Sequence, residues 1–435
     1  MADLPVFFEQ RLVGTIDVDR RGPGFTYDRR WLETRGAFPI STTMPLRPGR
    51  VAADTFLPWA ANFLPESEQL RAVGQFLGMA PGDVIGLLAA IGRDIAGALS
   101  IAKPGGTSPV YWRPVEQPQD LERIIEELPN KPFLVGSEGV SMSLAGVQSK
   151  LAVAVDEAGR ICIPTEGSPS THILKPDAQR LWGGVQNEAF CLSLARRLGV
   201  LTPEVTTGTA GGRTFLLVKR YDRMTDGRRW RRLHQEDYCQ ALKKPPSAKY
   251  ETNHTGVSGP TLKDLFETTR QWMPPTDIMR LLDMVIFNVI ACNTDAHAKN
   301  YSIIIRASSM SLAPLYDVMC GEVWENVTKN LAQKIAGNNR GDQLTGRHWQ
   351  GFARECGLGV RQVLARVRTL TQAAQAQAQA ASADVLAMPA GGHPILELAR
   401  EAIERRAREL FARLAEIEDD PSEHVADGMA VGGAM

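Results

Sequence analysis

"CNTDAHAKNYSIII", Cys292 to Ile305, is an unusual exit from a buried helix. The run before it, "LLDMVIFNVIA" (Leu281 to Ala291), is apolar almost all the way round, as a helix inside a core should be. The chain then gathers Asn293, Asp295, His297, Lys299 and Asn300 before turning apolar again. Downstream, "YSIII" reads as a strand, "RASSM" as a turn and "SLAPLYDV" as a second strand that delivers Asp317 at its end. Upstream, "VSMSLAGVQSKLAVAVDEAGRICIP" predicts a hairpin turning at Asp156 to Arg160, and "THILKP" a further short strand. "GGVQNEAFCLSLARRLGV" carries apolar residues at helical spacing, with a basic last turn ended by Gly199, and "RTFLLVKRYDR" is another strand. The first hundred residues place strand-like runs ("LPVFFEQ", "RLVGTIDV", "GFTYD") before helical stretches at 56–67 and 83–101. After Asp222 the pattern is mostly helical, broken by the polar loop "KKPPSAKYETNHTGVSGP" (243–260), and includes the low-complexity "AAQAQAQAAS" and the amphipathic "PILELAREAIERRARELFARLAEIE". A frayed tail is expected over 419–435.

Composition narrows the classes. The chain has 435 residues, and 49 Lys plus Arg balance 49 Asp plus Glu. No basic excess points to nucleic acid as the main partner, although a local basic patch is left open. The N-terminus lacks a basic segment followed by an apolar stretch, and no run of eighteen or more uncharged apolar residues occurs. Neither export nor membrane insertion is expected, and the protein reads as cytoplasmic. The six cysteines are scattered without a C-x-x-C pair, which predicts buried free thiols and no zinc site.

The opening stretch has a chemical reading. A helix, a D-x-x-x-x-N loop, a hairpin and a second Asp is the order in which protein kinases present the catalytic base, a metal-binding Asn and a metal-binding Asp. The hairpin would fold the chain back so that Asn300 and Asp317 converge on one Mg²⁺, a cation that takes hard oxygen ligands with few from protein carboxylates. Asp295 would orient an attacking hydroxyl and take its proton. His297, two places on, stands where many kinases keep a Lys near the transferring phosphate, and is a candidate to hydrogen-bond nucleotide or to hold the loop. Taken singly, each of these fits loop capping as well. The other half of such a site is a strand Lys paired to a helical Glu, and Lys175 and Glu188 stand in that order. The backbone from Lys219 to Tyr221 would meet an adenine edge. A G-x-G-x-x-G loop is absent. In its place "SMSLAGVQSK" offers Ala145, Gly146, Val147 and Gln148 as a phosphate-binding loop, with Ser143 as a candidate acceptor. The expected fold is α+β: a small N-terminal α/β unit (1–102) joined to a two-lobed protein-kinase-like fold. Its N-lobe spans 103–222 and its mainly helical C-lobe 223–435, with the ligand cleft between the lobes.

Beyond these elements the chain resembles the HipA family, the serine/threonine kinase toxins of bacterial toxin–antitoxin modules. The likeness runs through "RLVGTI", "NFLPES", "LLAAIGRDIAGAL", "SLAGVQSK", "THILKP", "NEAFCLSLARRLG", "RLHQEDYCQ", "TDAHAKN" and "LYDV", in order. After Asp317 it loosens to "NLAQKIAG" and "GRHW". The resemblance implies a kinase dependent on ATP and Mg²⁺, with Asp295 as base, Asn300 and Asp317 as metal ligands and Lys175 on the phosphates. It also implies inhibitory autophosphorylation at Ser143, a HipB-like helix-turn-helix antitoxin that brings operator DNA indirectly, and an aminoacyl-tRNA synthetase as substrate. Two other readings stay open: an inert co-repressor acting on DNA with its antitoxin, and a small-molecule phosphotransferase.

Overall fold

The computed structural model describes residues 3–106, 109–178 and 180–417, so the tail expected at 419–435 lies outside the described residues. Near the N-terminus, β1 (Leu4–Phe8), β2 (Arg11–Asp19), β3 (Gly22–Tyr27), β4 (Arg50–Val51) and β5 (Leu99–Ile101) form an antiparallel sheet in the order β4-β3-β2-β1-β5. Val6, Ile16 and Phe25 face inward, and Val13 joins them at the bulge where the β1–β2 register shifts, each no more than 1% exposed. Phe25 stacks on Phe56 of the helix Ala53–Ala61 with ring centres 6.2 Å apart. At Gly14 a Cβ would lie 2.4 Å from the Phe25 ring, so only glycine permits this approach.

The stretch 83–101, read as helical, is helical only over Val84–Ile91, and its end becomes β5, which pairs with β1 through Val6↔Ile101 and Phe8↔Leu99. The helix ends at Gly92, Asp94 is buried against Arg223, and Gly97 at φ +85° turns the chain, so the apolar run that follows leaves as a strand.

A second antiparallel sheet orders β6 (Tyr111–Pro114), β7 (Leu151–Val155), β8 (Ile161–Thr165), β9 (His172–Pro176), β10 (Val205–Ala210) and β11 (Arg213–Lys219) as β10-β11-β9-β7-β8-β6. The hairpin between β7 and β8 turns at Asp156–Arg160 as expected, with Asp156 Oδ1 accepting from the amides of Ala158 and Arg160. In β9 the two-residue period puts Ile173 and Lys175 on the face that lines the cleft. The helix Gly184–Arg197 packs on β10 and β11 through a fully buried face that includes Phe190 and Leu194.

The C-terminal part is built on the helices Leu262–Trp272, Pro275–Ile290, Gly346–Glu355, Val360–Leu386 and Ile395–Arg413. The Ala/Gln repeat belongs to Val360–Leu386, and Ala374, Ala378 and Ala381 have no exposed surface. That spacing makes one smooth stripe, and the helix lies against both Gly184–Arg197 and Ile395–Arg413. Pro275–Ile290 is buried from Leu281 almost throughout and points its end at the polar loop.

A three-stranded sheet, His234–Asp237, Ser302–Ile305 and Met310–Leu312, contains the expected hairpin. Its last strand is shorter than the sequence suggested. Pro314 has no N–H for the ladder, pairing stops at Leu312, and Asp317 sits five residues later at φ +59°, a left-handed conformation rare for a residue with a side chain. Among the described residues no helix is long and apolar enough to cross a membrane.

Candidate active site

Between the second sheet and the C-terminal helices lies a cavity of about 1870 Å³. Lys175, Glu188, Asp295, Asn300 and Asp317, separated by up to 142 positions, all line it. β9 presents Lys175, and the first turns of the helix Gly184–Arg197 present Glu188. The Lys175 ammonium donates to Glu188 Oε1 at 2.6 Å and to Asp317 Oδ1 at 2.6 Å. Burial works against the Lys175 charge, yet Asp317 and Glu188 hold its pKa above the ordinary value. For Glu188 burial wins and its carboxyl is raised despite Lys175. Burial opposes ionisation of Asp317 too, but Lys175 and Lys150 more than offset it and hold that carboxylate far below its usual range. The two acids thus differ in kind: Glu188 anchors the lysine, and Asp317 stays charged at the cleft.

The polar loop after the buried helix answers the question raised by its sequence. Asn288, still on the helix, accepts at Oδ1 from Asn293 Nδ2 at 2.8 Å, and Asn293 Oδ1 accepts the Asp295 amide at 3.1 Å. These amides set the direction of the loop as it leaves the core. A short 3₁₀ turn over Ala298–Asn300 then brings Asn300 back, and its Nδ2 donates to the Asp295 carbonyl at 2.7 Å. Asn300 is therefore fixed by its amide nitrogen, which leaves the oxygen of that amide as a candidate ligand. The Asp295 carboxylate accepts from the Tyr250 hydroxyl, and desolvation in the cleft raises its pKa. His297 is 5% exposed, with Nε2 4.0 Å from Asp295 Oδ1 and its ring edge-on to Tyr250 at 5.1 Å. Its Nδ1 is buried without a partner, and burial together with Lys249 drives the ring well below its ordinary pKa.

The expected phosphate loop borders the same cavity, which Ala145, Gly146, Val147 and Gln148 line. Gly146 has φ +114°, and a Cβ there would lie 2.6 Å from Lys150 Nζ, which itself donates to the Ala145 carbonyl at 2.8 Å. Ser143 does not line the cavity. It is fully buried, its hydroxyl donating to the Phe63 carbonyl at 2.7 Å and its amide to the Asp94 carbonyl at 3.0 Å. At the junction of the lobes, the amides of Lys219 and Arg220 already donate to the carbonyls of Glu204 and Thr171. Lys219 and Tyr221 both line the cavity; Lys219 reaches Glu204 with its ammonium, and Tyr221 stacks on Tyr316 at 5.8 Å.

Among the described residues no three His, Cys, Asp or Glu side chains gather to hold a metal by themselves. One amide oxygen and one carboxylate beside a wide cleft is nevertheless a donor set that suits Mg²⁺, which keeps several waters and takes few carboxylates. Asn300 and Asp317 are such a pair, and Asp317 Oδ2 is left over once Lys175 has taken Oδ1.

Residues 4–102 match the model of the HipA N-terminal domain, and residues 142–378 that of the HipA-like C-terminal domain. The chain belongs to the HipA family. Y4mE of Sinorhizobium fredii, a protein named as a kinase, is 37% identical over 84% of this chain and 89% of its own length. The serine/threonine-protein kinase toxin HipA of Shewanella oneidensis is 31% identical over 74% of this chain and 76% of its own. The solved HipA from Shewanella oneidensis, in complex with HipB and operator DNA, superposes with a TM-score of 0.83 at 25% identity, covering 96% of this chain and 99% of that one. The α+β, kinase-like architecture is thus shared with a solved HipA.

Several contacts around the cleft have no mark in the sequence. Lys299 is tied to Asn62 Oδ1 at 2.5 Å and to Asp237 Oδ2 at 3.1 Å. Lys249 pairs with Glu66 at 2.7 Å, and Glu66 also donates its amide to the Gly146 carbonyl at 3.1 Å. The "NFLPES" segment of this HipA-family chain thus touches both the phosphate-loop candidate and the Asp295 loop. Its place among the segments that carry the HipA likeness, with "SLAGVQSK" and "TDAHAKN", was the available hint.

Proposed function

We propose that this chain is an ATP- and Mg²⁺-dependent serine/threonine protein kinase, the toxin of a module whose antitoxin is a HipB-like helix-turn-helix protein. The observation that carries the reading is the Lys175 ammonium held at 2.6 Å by both Glu188 and Asp317, in the cavity that Asp295 and Asn300 also line. In this reading the N-terminal unit spans 1–102, the N-lobe 103–222 and the C-lobe 223–435. Lys175 draws the nucleotide phosphates toward the floor of the cleft, and Glu188 keeps it from swinging away. Ala145 to Gln148 offer backbone to the phosphates, with Gly146 keeping the path open. Tyr221 closes the adenine end. Mg²⁺, when bound by Asn300 and Asp317, offsets the phosphate charge. Asp295, steadied by Tyr250, aligns the acceptor hydroxyl and receives its proton at the carboxylate, and His297 shapes that corner as a neutral ring.

An aminoacyl-tRNA synthetase is the substrate class, operator DNA is reached through the antitoxin, and the cytoplasm is the setting. Ser143 is the self-inhibition site. Because its hydroxyl is sealed against Phe63, its modification requires the loop to leave its seat, and a doubly charged phosphoserine has no room to return. The test is a phosphoproteome comparison of cells expressing wild type and Asp295→Asn. A serine or threonine phosphopeptide from a synthetase, present only with wild type, is expected. Identical phosphoproteomes would refute the assignment.

A further inference from the structure

Resting on the kinase reading, one position stays unfilled: a cation beside the base, where the transferring phosphoryl group passes and where His297 stands in the loop. The lysines near the cleft differ in how far their donors are committed. Lys175 holds two carboxylates. Lys299 is 6% exposed and gives its ammonium to Asn62 Oδ1, the Asn62 carbonyl and Asp237, so its three donors are used. Lys150 is turned onto the Ala145 carbonyl of its own loop. Lys150, also at the cavity with one described partner, keeps spare donors too, but its tie is to the phosphate-loop candidate, whereas Lys249 is tied to the Asp295–Asn300 turn. Lys249 is 7% exposed, lines the cavity and has one described partner, Glu66 Oε2 at 2.7 Å, which leaves two N–H donors.

Its location is set by two independent ties. The Lys249 carbonyl accepts the amide of Ala298, inside the Asp295–Asn300 turn, at 3.2 Å. Its ammonium lies 5.5 Å from the centre of the Tyr250 ring, whose hydroxyl donates to Asp295. On the other side, Glu66 holds the ammonium with one oxygen while its second oxygen is buried without a partner. The Glu66 amide meanwhile holds the Gly146 carbonyl. A single residue of the N-terminal unit therefore spans the phosphate-loop candidate and the cation beside the base. A buried ammonium with spare donors, next to a buried carboxylate oxygen with none, is half of a site that an incoming phosphoryl oxygen and hydroxyl would complete.

We propose that Lys249 is a catalytic residue that binds the transferring phosphoryl group, and that Glu66 is the positioning residue by which the N-terminal unit holds it there. The test uses the full chain, ATP with Mg²⁺, and the rate of phosphate transfer, with ATP affinity measured separately. Lys249→Met should lower kcat about 100-fold or more, the scale of losing one donor to developing charge, while KM for ATP changes less than about threefold. Lys249→Arg should recover most of the rate, and Glu66→Gln, which keeps the fold but loosens the pair, should lower kcat about tenfold with ATP affinity retained. Lys249→Met combined with Glu66→Gln removes the unpaired buried acid and guards against loss through misfolding. If wild type is active, Asp295→Asn is dead and both Lys249→Met and the combined variant keep full kcat, the role of Lys249 is overturned and the kinase reading stands. If wild type itself transfers no phosphate, both fall.

Discussion

Replacing Lys175 with methionine keeps the length of the side chain and removes its charge, and the consequence reaches beyond catalysis. The wild-type side chain is 8% exposed and its ammonium lies 2.6 Å from each of two carboxylates. Asp317, at 28% exposure, still has Lys150 nearby, so it tolerates the loss. Glu188 does not, because its side chain is 3% exposed and Lys175 is its only described hydrogen-bond partner. Removing one member of a buried pair costs about 3–5 kcal/mol, and here most of that falls on Glu188. The sign of the pH dependence follows. The folded-state pKa of Glu188 is already raised by burial, and without Lys175 it rises further, so folding of the variant favours the protonated acid. The deficit should therefore be smallest below the unfolded-state pKa of about 4.3 and grow as pH rises toward the folded value. Urea unfolding of wild type, Lys175→Met and Lys175→Met/Glu188→Gln across pH 5 to 8 measures it, with the double variant recovering about half of the loss or more. A Lys175→Met protein within about 0.5 kcal/mol of wild type at every pH would refute the reasoning.

Further outcomes follow from the same geometry. Asp317→Asn should retain the fold, since Lys175 keeps Glu188, but lose about 1000-fold in phosphate transfer without rescue by added Mg²⁺; a metal titration checks both. Ser143→Asp places a carboxylate against the Phe63 carbonyl in a site with no exposed surface, so the loop should leave its seat; roughly tenfold weaker ATP binding and new proteolysis within residues 141–150 are expected, and an unchanged digestion pattern would contradict it. Glu236 is buried against Thr42, and burial pushes its carboxyl up to about 7. Its protonated form favours folding, so this contribution is complete below the unfolded value and lost as pH rises through 7. Glu236→Gln should flatten up to about 3 kcal/mol of that slope in unfolding measurements between pH 5 and 8.

The sequence made the order of the main groups legible. Lys175 stood in an apolar strand word, Glu188 opened a periodic helix, and Asp295 with Asn300 broke a buried helix, so each carried a local signal. The strand before Asp317 was overread because alternation in "SLAPLYDV" continues past Pro314, where pairing cannot. Over residues 83–101 the expected helix runs past Gly92 and Gly97, where the chain turns, and the apolar residues beyond suit a buried strand as well as a helix. Lys299 and Asn62 meet across 237 positions and Lys249 and Glu66 across 183, and nothing local marks such pairs. Their reach from the N-terminal unit into the cleft needed the tertiary structure, as did the burial of Ser143, which the sequence offers as an acceptor in a phosphate-binding loop.

The most direct measurement is transfer of the γ-phosphoryl group from labelled ATP with Mg²⁺ by the purified chain, wild type beside Asp295→Asn. Incorporation of label into protein by wild type, absent from Asp295→Asn and from wild type stripped of Mg²⁺, is the expected result. Equal labelling of the two proteins, or none from wild type at any Mg²⁺ concentration, would contradict a phosphoryl-transfer site built on Lys175, Asp295, Asn300 and Asp317.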